Sequence, residues 1–100
     1  MFGTIALLKP RAGTEAQVTA LFDQWWAERA PRVKGAVSST LYRNLNNPAE
    51  LMLAVVFDSR ENYEANANDP AQGEWYGKLA ALLEGEPRWI DGDVLNHKHA

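Results

Sequence analysis

The side chains with the clearest chemical potential are amides and aromatic rings rather than nucleophiles or metal ligands. Asn66 lies one turn after Asn62 and three residues after Tyr63 in a short predicted helix. An amide that faces an apolar pocket can hydrogen bond to a phenolate or to another developing oxyanion. We therefore take Asn66 as the candidate catalytic residue. A solvated helix end, where asparagine is common, is the alternative interpretation.

Aromatic residues are the second candidate set, because four tryptophans in 100 residues is a high content. Pockets for flat apolar ligands are lined by such side chains. The candidate pocket-lining residues are Trp26, Tyr42, Tyr63, Trp75, Tyr76 and Trp89. Core packing is the competing interpretation, and helical spacing favours it for Trp25 and Tyr76. Trp26 lies beside the apolar stripe of the first predicted helix (Val18, Leu21, Phe22 and Trp25), so for this residue the two interpretations are evenly balanced.

The ionisable residues offer weaker chemistry. His97 and His99 are the only histidines, and they lie at the end of the last predicted strand and in the tail. Two histidines at this spacing, without a carboxylate nearby, are a weak signal for a metal site, and the chain has no cysteine. We therefore predict no metal site. Asp91 and Asp93 share a strand face and could form an acid–base pair. Carboxylates that guard an edge strand against pairing are the favoured interpretation.

Composition narrows the classes of function. The net charge of −3 argues against a nucleic-acid partner, which requires a basic surface. The longest apolar run, residues 51–57, is too short to span a bilayer, so we expect no membrane partner. No leader pattern precedes the first strand, and we expect a soluble, cytoplasmic protein. Phosphate loops, dinucleotide fingerprints and nucleophile elbows are absent from the sequence.

Hydrophobic periodicity and turn residues predict an α+β fold in one domain over residues 1–100. We expect strands over residues 4–8, 36–43, 51–57 and 88–97, and helices over residues 15–30, 60–68 and 70–84. Thr14 and Gln17 match a capping box, and Ser59 and Asp69 are the expected caps of the later helices. The order β-α-β-β-α-α-β is the ferredoxin-like arrangement: an antiparallel sheet with helices on one face and strands 1 and 3 central.

The third predicted strand indicates a homodimer. Its residues are apolar on both faces, which is typical of a strand buried on both sides. The helices can cover one side of the sheet only, and monomers rarely expose a large apolar patch. We therefore expect a second copy to pack sheet to sheet. A monomer with a ligand groove on the open face is the alternative.

Four short segments, taken in this order, resemble the antibiotic biosynthesis monooxygenase family over nearly the whole chain. They are residues 9–14 (KPRAGT), 33–36 (VKGA), 41–44 (LYRN) and 57–61 (FDSRE). The resemblance implies a dimeric α/β barrel with a pocket between sheet and helices in each subunit. Family members include cofactor-free oxygenases of phenols and quinols, haem-degrading enzymes and proteins of no known activity.

The resemblance also bears on cofactors. Haem-degrading members carry an Asn, a Trp and a His at places that hold Ala6, Asn66 and a residue near Tyr76 in this sequence. Phe57 and Asn66 stand where the family often has Trp and His. We therefore expect no haem and no other cofactor.

The sequence leads to one main hypothesis and two alternatives. The main one is a cofactor-independent oxygenase that acts on a small aromatic ligand of the phenol or quinol type. A non-catalytic dimeric binding protein, or a stress-associated protein, on the same fold is the alternative. An isomerase or decarboxylase would need an inward-facing acid or base, which the sequence does not identify. Whether the protein is an enzyme, and on which substrate, stays open at this stage.

Overall fold

Four strands form one antiparallel sheet in the computed structural model, which describes all of residues 1–100. The strands are β1 (Phe2–Leu8), β2 (Ala36–Arg43), β3 (Leu51–Phe57) and β4 (Arg88–Asp93). The helices are α1 (Glu15–Gln24), α2 (Arg60–Ala67) and α3 (Pro70–Ala80). The strand order β2-β3-β1-β4 places β1 and β3 in the centre, and the predicted ferredoxin-like arrangement is confirmed.

The boundaries of β2 and β3 match their prediction, and those of β1 and β4 do not. Strand β1 begins at Phe2, earlier than predicted, because Phe2 pairs with both Phe57 and Asp93. Strand β4 ends at Asp93 rather than at His97. Its only neighbour is β1, and the backbone bonding ends at the start of that strand: the last bond runs from the Val94 N–H to the Met1 carbonyl oxygen at 3.0 Å.

Helix α1 begins differently from the prediction. The Thr14 side chain makes no capping bond to the helix, so the predicted capping box with Gln17 was wrong. Thr14 Oγ1 instead donates to the carbonyl oxygens of Arg11, at 2.7 Å, and Leu82, at 3.2 Å. The hydroxyl is used to join the start of α1 to the segment after α3.

The end of α1 is also irregular. The chain continues from α1 into a π-helical turn, Trp25–Arg29, and a 3₁₀ turn, Ala30–Arg32, which contains Pro31. A π-helical turn carries more residues than an α-helical turn and is often found near functional sites. The helical segment thus stops close to Pro31, as expected for a residue that cannot donate a backbone hydrogen bond.

Helices α2 and α3 have the predicted caps. Ser59 Oγ accepts from the backbone N–H of Asn62 at 3.1 Å, and Asp69 Oδ1 accepts from that of Ala71 at 2.9 Å. Pro70 occupies the first turn of α3, where its missing N–H costs nothing. Helix α3 ends at Ala80, before the predicted stop, and Leu83 then pairs with Pro10 in a short bridge.

The core lies between the sheet and the helices. Alternate residues of β1 and β3 turn toward the helices, and the largest fully buried side chains are Leu8, Val18, Leu79 and Leu83. The other face of the sheet carries apolar side chains that no element of this chain covers. Ile5, Tyr42 and Ile90 are 50%, 53% and 47% exposed there.

Candidate functional site

A cavity of about 510 Å³ opens between the covered face of the sheet and the helices. All four strands and all three helices contribute to its wall, together with the π-helical turn. Its volume falls within the range of about 300–1,000 Å³ that is usual for small-molecule sites. Most of the lining residues are hydrophobic. The cavity is therefore suited to an apolar ligand that a few polar groups orient.

Three tryptophans of the wall are fixed by hydrogen bonds from their indole nitrogens. Trp25 Nε1 donates to Gln72 Oε1 at 2.7 Å, and Trp26 Nε1 donates to Ser39 Oγ at 2.7 Å. Trp75 Nε1 donates to the carbonyl oxygen of Leu21 at 3.0 Å. A ring held at its polar edge presents its apolar faces to its surroundings. The wall is therefore aromatic and ordered before any ligand enters.

The remaining aromatic rings form contacts around the cavity. Tyr63 packs against Phe2 and Phe57, with ring centroids 5.1 and 5.6 Å apart. Tyr76 lies 6.3 Å from Trp89, ring to ring. These separations lie within the usual range for attractive aromatic pairs.

The Asn66 side chain is oriented by an arginine. Arg29 Nη2 donates to Asn66 Oδ1 at 2.8 Å, and Arg29 also lies 3.7 Å from the Asp69 carboxylate. A guanidinium can only donate, so the atom of Asn66 that meets it must be the carbonyl oxygen. The Nδ2 group makes no hydrogen bond within the protein, so it is the donor that Asn66 can offer to a ligand. Arg29 is only 14% exposed at its side chain, and its Nε is buried without a partner.

A second polar cluster joins two strands and one helix around Tyr63. The Tyr63 hydroxyl donates to Asp91 Oδ1 at 3.3 Å, a long distance for an O–H···O bond. Thr4 is 4% exposed, and its hydroxyl has no hydrogen-bond partner. Thr4 and Asp91 are paired directly across β1 and β4, so their side chains lie on the same face. A buried hydroxyl without a partner costs about 1–3 kcal/mol, which marks Thr4 as unusual.

The surroundings raise the pKa of both wall tyrosines above the ordinary value of 10.0. Burial, which disfavours the phenolate, is the main cause for Tyr63; the nearby Asp91 charge adds to the rise. The Thr4 hydroxyl offsets part of the rise, although the two hydroxyls do not form a hydrogen bond of ordinary geometry. Burial also raises the pKa of Tyr76, with a further contribution from Glu86. Both hydroxyls therefore stay protonated at neutral pH.

The structure brings together most of the residues that the sequence singled out. Asn66 and five of the aromatic candidates lie on the cavity wall, namely Trp26, Tyr63, Trp75, Tyr76 and Trp89. Tyr42 does not: it points to the open face of the sheet, because its neighbour Leu41 takes the inward position on β2. The assignment of Trp25 to the core was incomplete, since this residue is buried and also lines the cavity.

Three polar residues near the cavity were missed or undervalued from the sequence. Asp91 was interpreted as an edge guard, yet it lines the cavity and meets Tyr63. Its signal was its place on the same face as Thr4, which needs the strand register to be known. Arg29 was not singled out from the sequence. Nothing in the local sequence pattern distinguishes Thr4 from an ordinary strand threonine.

No group of three or more His, Cys, Asp or Glu side chains is arranged so that it could hold a metal ion. None of the helices combines the length and the apolar character needed to cross a bilayer.

Comparison with solved structures supports the fold strongly, whereas comparison of sequences finds no match. No family model and no curated protein match the sequence. SnoaB, a cofactor-independent oxygenase from Streptomyces nogalater, superimposes with a TM-score of 0.80 at 16% identity, over 96% of this chain and 94% of SnoaB. A Caulobacter crescentus protein described as an antibiotic biosynthesis monooxygenase gives 0.81 at 15% identity, over 95% and 90% of the two chains.

A third structure, from Mycobacterium tuberculosis, gives a TM-score of 0.77 at 20% identity and covers 98% of each chain. The predicted resemblance is thus confirmed for the fold, which is that of proteins named antibiotic biosynthesis monooxygenases. Identities this low do not carry activity from one protein to another, because one fold supports many functions. The function must be argued from the cavity.

Proposed function

We propose that this chain is a cofactor-independent oxygenase that binds a flat phenol- or quinol-like molecule in the cavity. The orientation of Asn66 carries the proposal. A mostly hydrophobic wall, rich in aromatic rings, holds an amide whose oxygen is engaged by Arg29 and whose nitrogen is left to donate. That arrangement suits an oxygen atom that becomes negatively charged in the reaction.

The chemistry follows from what such a wall can do. An ionised phenol is electron-rich at its ring carbons and can reduce dioxygen itself. One oxygen atom then becomes a new carbonyl of the ring, the other leaves as water with the hydrogens that the ring and its hydroxyl give up, and the phenol is oxidised to a quinone. The protein then has to position the ring and stabilise the oxyanion, which Asn66 Nδ2 would do. SnoaB, which shares the fold, is named as a cofactor-independent oxygenase.

A second candidate function is the binding of the same type of ligand without catalysis. The observation that favours it is the Asp91 carboxylate on the cavity wall, since its negative charge opposes a phenolate in the same space. A neutral ligand would not meet this opposition.

The homodimer belongs to the same proposal. The open face of the sheet carries apolar residues that this chain leaves exposed, among them Ile5 and Ile90 on neighbouring strands. A second copy placed on this face would remove them from water and would form a barrel from two sheets.

Oxygen uptake by the purified protein, measured against a panel of quinols and polycyclic phenols, tests the proposal. Asn66→Ala should lower kcat by about 10²-fold, because one oxyanion donor is lost. Trp26→Ala, which removes a ring from the cavity rim, should raise KM. The control is Asn68→Ala, an exposed asparagine at the end of α2, and all variants are compared by thermal melting.

The outcomes separate the two candidates. Saturable uptake that falls in Asn66→Ala and persists in Asn68→Ala supports the oxygenase. Ligand binding by calorimetry without uptake above the uncatalysed rate contradicts the oxygenase and supports the binding protein.

A further inference from the structure

The unpartnered hydroxyl of Thr4 indicates a place where a ligand is expected. Thr4 lies on the central strand β1, almost fully buried, and its side chain belongs to the cavity wall. Buried polar side chains nearly always have a hydrogen-bond partner, and an exception calls for an explanation. A ligand atom in the cavity would supply the missing partner.

The groups around Thr4 determine what that ligand atom must be. Tyr63 donates its only hydrogen to Asp91, so the Tyr63 oxygen offers lone pairs to the cavity. Asp91, when ionised, is an acceptor only. Thr4 can act in either sense. The cluster thus contains an excess of acceptors, and a group that donates a hydrogen bond fits it best.

We propose that Thr4, Tyr63 and Asp91 form a subsite that receives a hydroxyl group of the aromatic ligand as a hydrogen-bond donor. The subsite selects hydroxylated rings over the matching ethers and quinones, which have no hydrogen to donate. The inference rests on the proposed function to the extent that both place an aromatic ligand in this cavity, and it adds the group by which the ligand is selected.

The location of the cluster fits this role beside Asn66. Tyr63 and Asn66 are three residues apart on α2 and therefore lie on the same side of that helix. One offers an acceptor and the other offers a donor. A ring that carries a hydroxyl near one residue and a carbonyl or oxyanion near the other would satisfy both.

Calorimetric binding of three probes to the full-length protein tests the subsite. The probes are 2-naphthol, 2-methoxynaphthalene and 1,4-naphthoquinone; the chain has no cysteine that a quinone could modify. Wild type should prefer the naphthol to its methyl ether by about fivefold to tenfold, the effect of one hydrogen bond. Thr4→Val and Tyr63→Phe should each reduce this preference.

Asp91→Asn gives a sharper test, because the amide can donate to Tyr63 and turn the Tyr63 hydrogen toward the cavity. The preference for the naphthol should fall, and the quinone should bind more tightly than it does to wild type. Asp93→Asn, on the same strand but outside the cavity wall, is the matched control and should keep the wild-type preference.

Thermal melting of the ligand-free protein adds a readout that a purely structural threonine would not give. Thr4→Val keeps the shape of the side chain and removes the unpartnered hydroxyl, so its melting temperature should rise while its preference for the naphthol falls. Thr40→Val, an exposed change on β2, is the control for the substitution itself.

The results distinguish the subsite from the function of the cavity. Equal binding of naphthol and ether by wild type, or a preference that survives in all three cluster variants, overturns the subsite and leaves the oxygenase proposal intact. Failure of wild type to bind any probe overturns both.

Discussion

The two faces of the sheet use the same strands in opposite ways. On the covered face, the inward residues of β1 are almost completely buried, and Ala6 and Leu8 are fully enclosed by helices and neighbouring strands. On the open face, Ile5 of the same strand is half exposed, as is its neighbour Ile90 on β4. Both faces are apolar, but the helices of the chain cover only one of them.

The difference shows that apolar character alone does not tell where a ligand binds. Between the covered face and the helices lie a few polar groups that lack partners or keep a donor unused, namely those of Thr4, Asn66 and Arg29. Such groups are needed to orient a small molecule. The apolar residues of the open face are not interrupted by a comparable set of polar groups. An uninterrupted apolar surface is typical of one that packs against another protein.

The largest contrast should appear in a pair of truncations on β1. Leu8→Ala should cost about 2–5 kcal/mol of unfolding free energy, because it leaves a cavity in a packed core. Ile5→Ala should lower the unfolding free energy by much less than Leu8→Ala at low protein concentration, since the Ile5 side chain is half exposed to water. Denaturant unfolding at two protein concentrations measures both. If Ile5→Ala costs more at high concentration, the open face is an interface; equal costs for the two variants would contradict the assignment of the faces.

A charge on the open face should have the next largest effect. We expect wild type to scatter light as a particle of twice 11.2 kDa at micromolar concentration. Ile5→Lys should shift it to the mass of one chain, because a lysine would be buried unpaired between two sheets. Lys98→Ala, in the tail, is the control. A wild-type protein that scatters as a single chain would remove the basis for the dimer.

On the covered face, removal of Arg29 should separate function from stability. Arg29→Met frees the Asn66 amide, so oxygen uptake should fall by about tenfold or more if Asn66 acts as an oxyanion donor. Its melting temperature should change little, because Met fills the space of the arginine stem, the unpartnered Arg29 Nε is removed, and the Asp69 carboxylate that is left behind is 46% exposed. Arg60→Met, which removes the exposed pair with Glu64 on the same helix, should retain uptake. Retained uptake in Arg29→Met would show that Asn66 needs no support.

The smallest effect should be an alkaline loss of stability on the covered face. The folded pKa of Tyr63 lies above 10.0, mainly because of burial. Its contribution to stability is therefore complete below pH 10 and is lost as the pH rises through the folded pKa. Melting temperatures from pH 8 to pH 11 should fall more for wild type than for Tyr63→Phe. Tyr42→Phe, on the open face, should follow wild type.

The sequence predicted the architecture well because its signals are local. The alternation in β2, the continuous apolar run of β3, the caps Ser59 and Asp69, and Pro31 each act within a few residues, and together they fix the order of the elements. The capping box at Thr14 failed because other acceptors compete for its hydroxyl. The nearer is the carbonyl oxygen of Arg11 in the preceding turn, and the second is that of Leu82, a contact across so much of the chain that the neighbouring residues do not predict it.

The candidate site was predicted in part, and the same distinction explains why. Asn66 and the aromatic residues were identifiable by type and helical spacing. Tyr42 was misplaced because residue type does not tell which face of a strand a side chain takes. Asp91 was undervalued because its partner, Tyr63, is reached only through the pairing of β4 with β1.

The π-helical turn at Trp25–Arg29 makes the cavity sensitive to the exact number of residues in that segment. The turn presents two successive tryptophans to the cavity, and its last residue is Arg29, which donates to Asn66. Each residue of a regular α-helix advances the chain by about 100° around the axis. Deleting one residue between Trp26 and Arg29 would restore an ordinary helix and carry the arginine away from Asn66. Related sequences that have lost this residue should therefore retain the fold while binding different molecules.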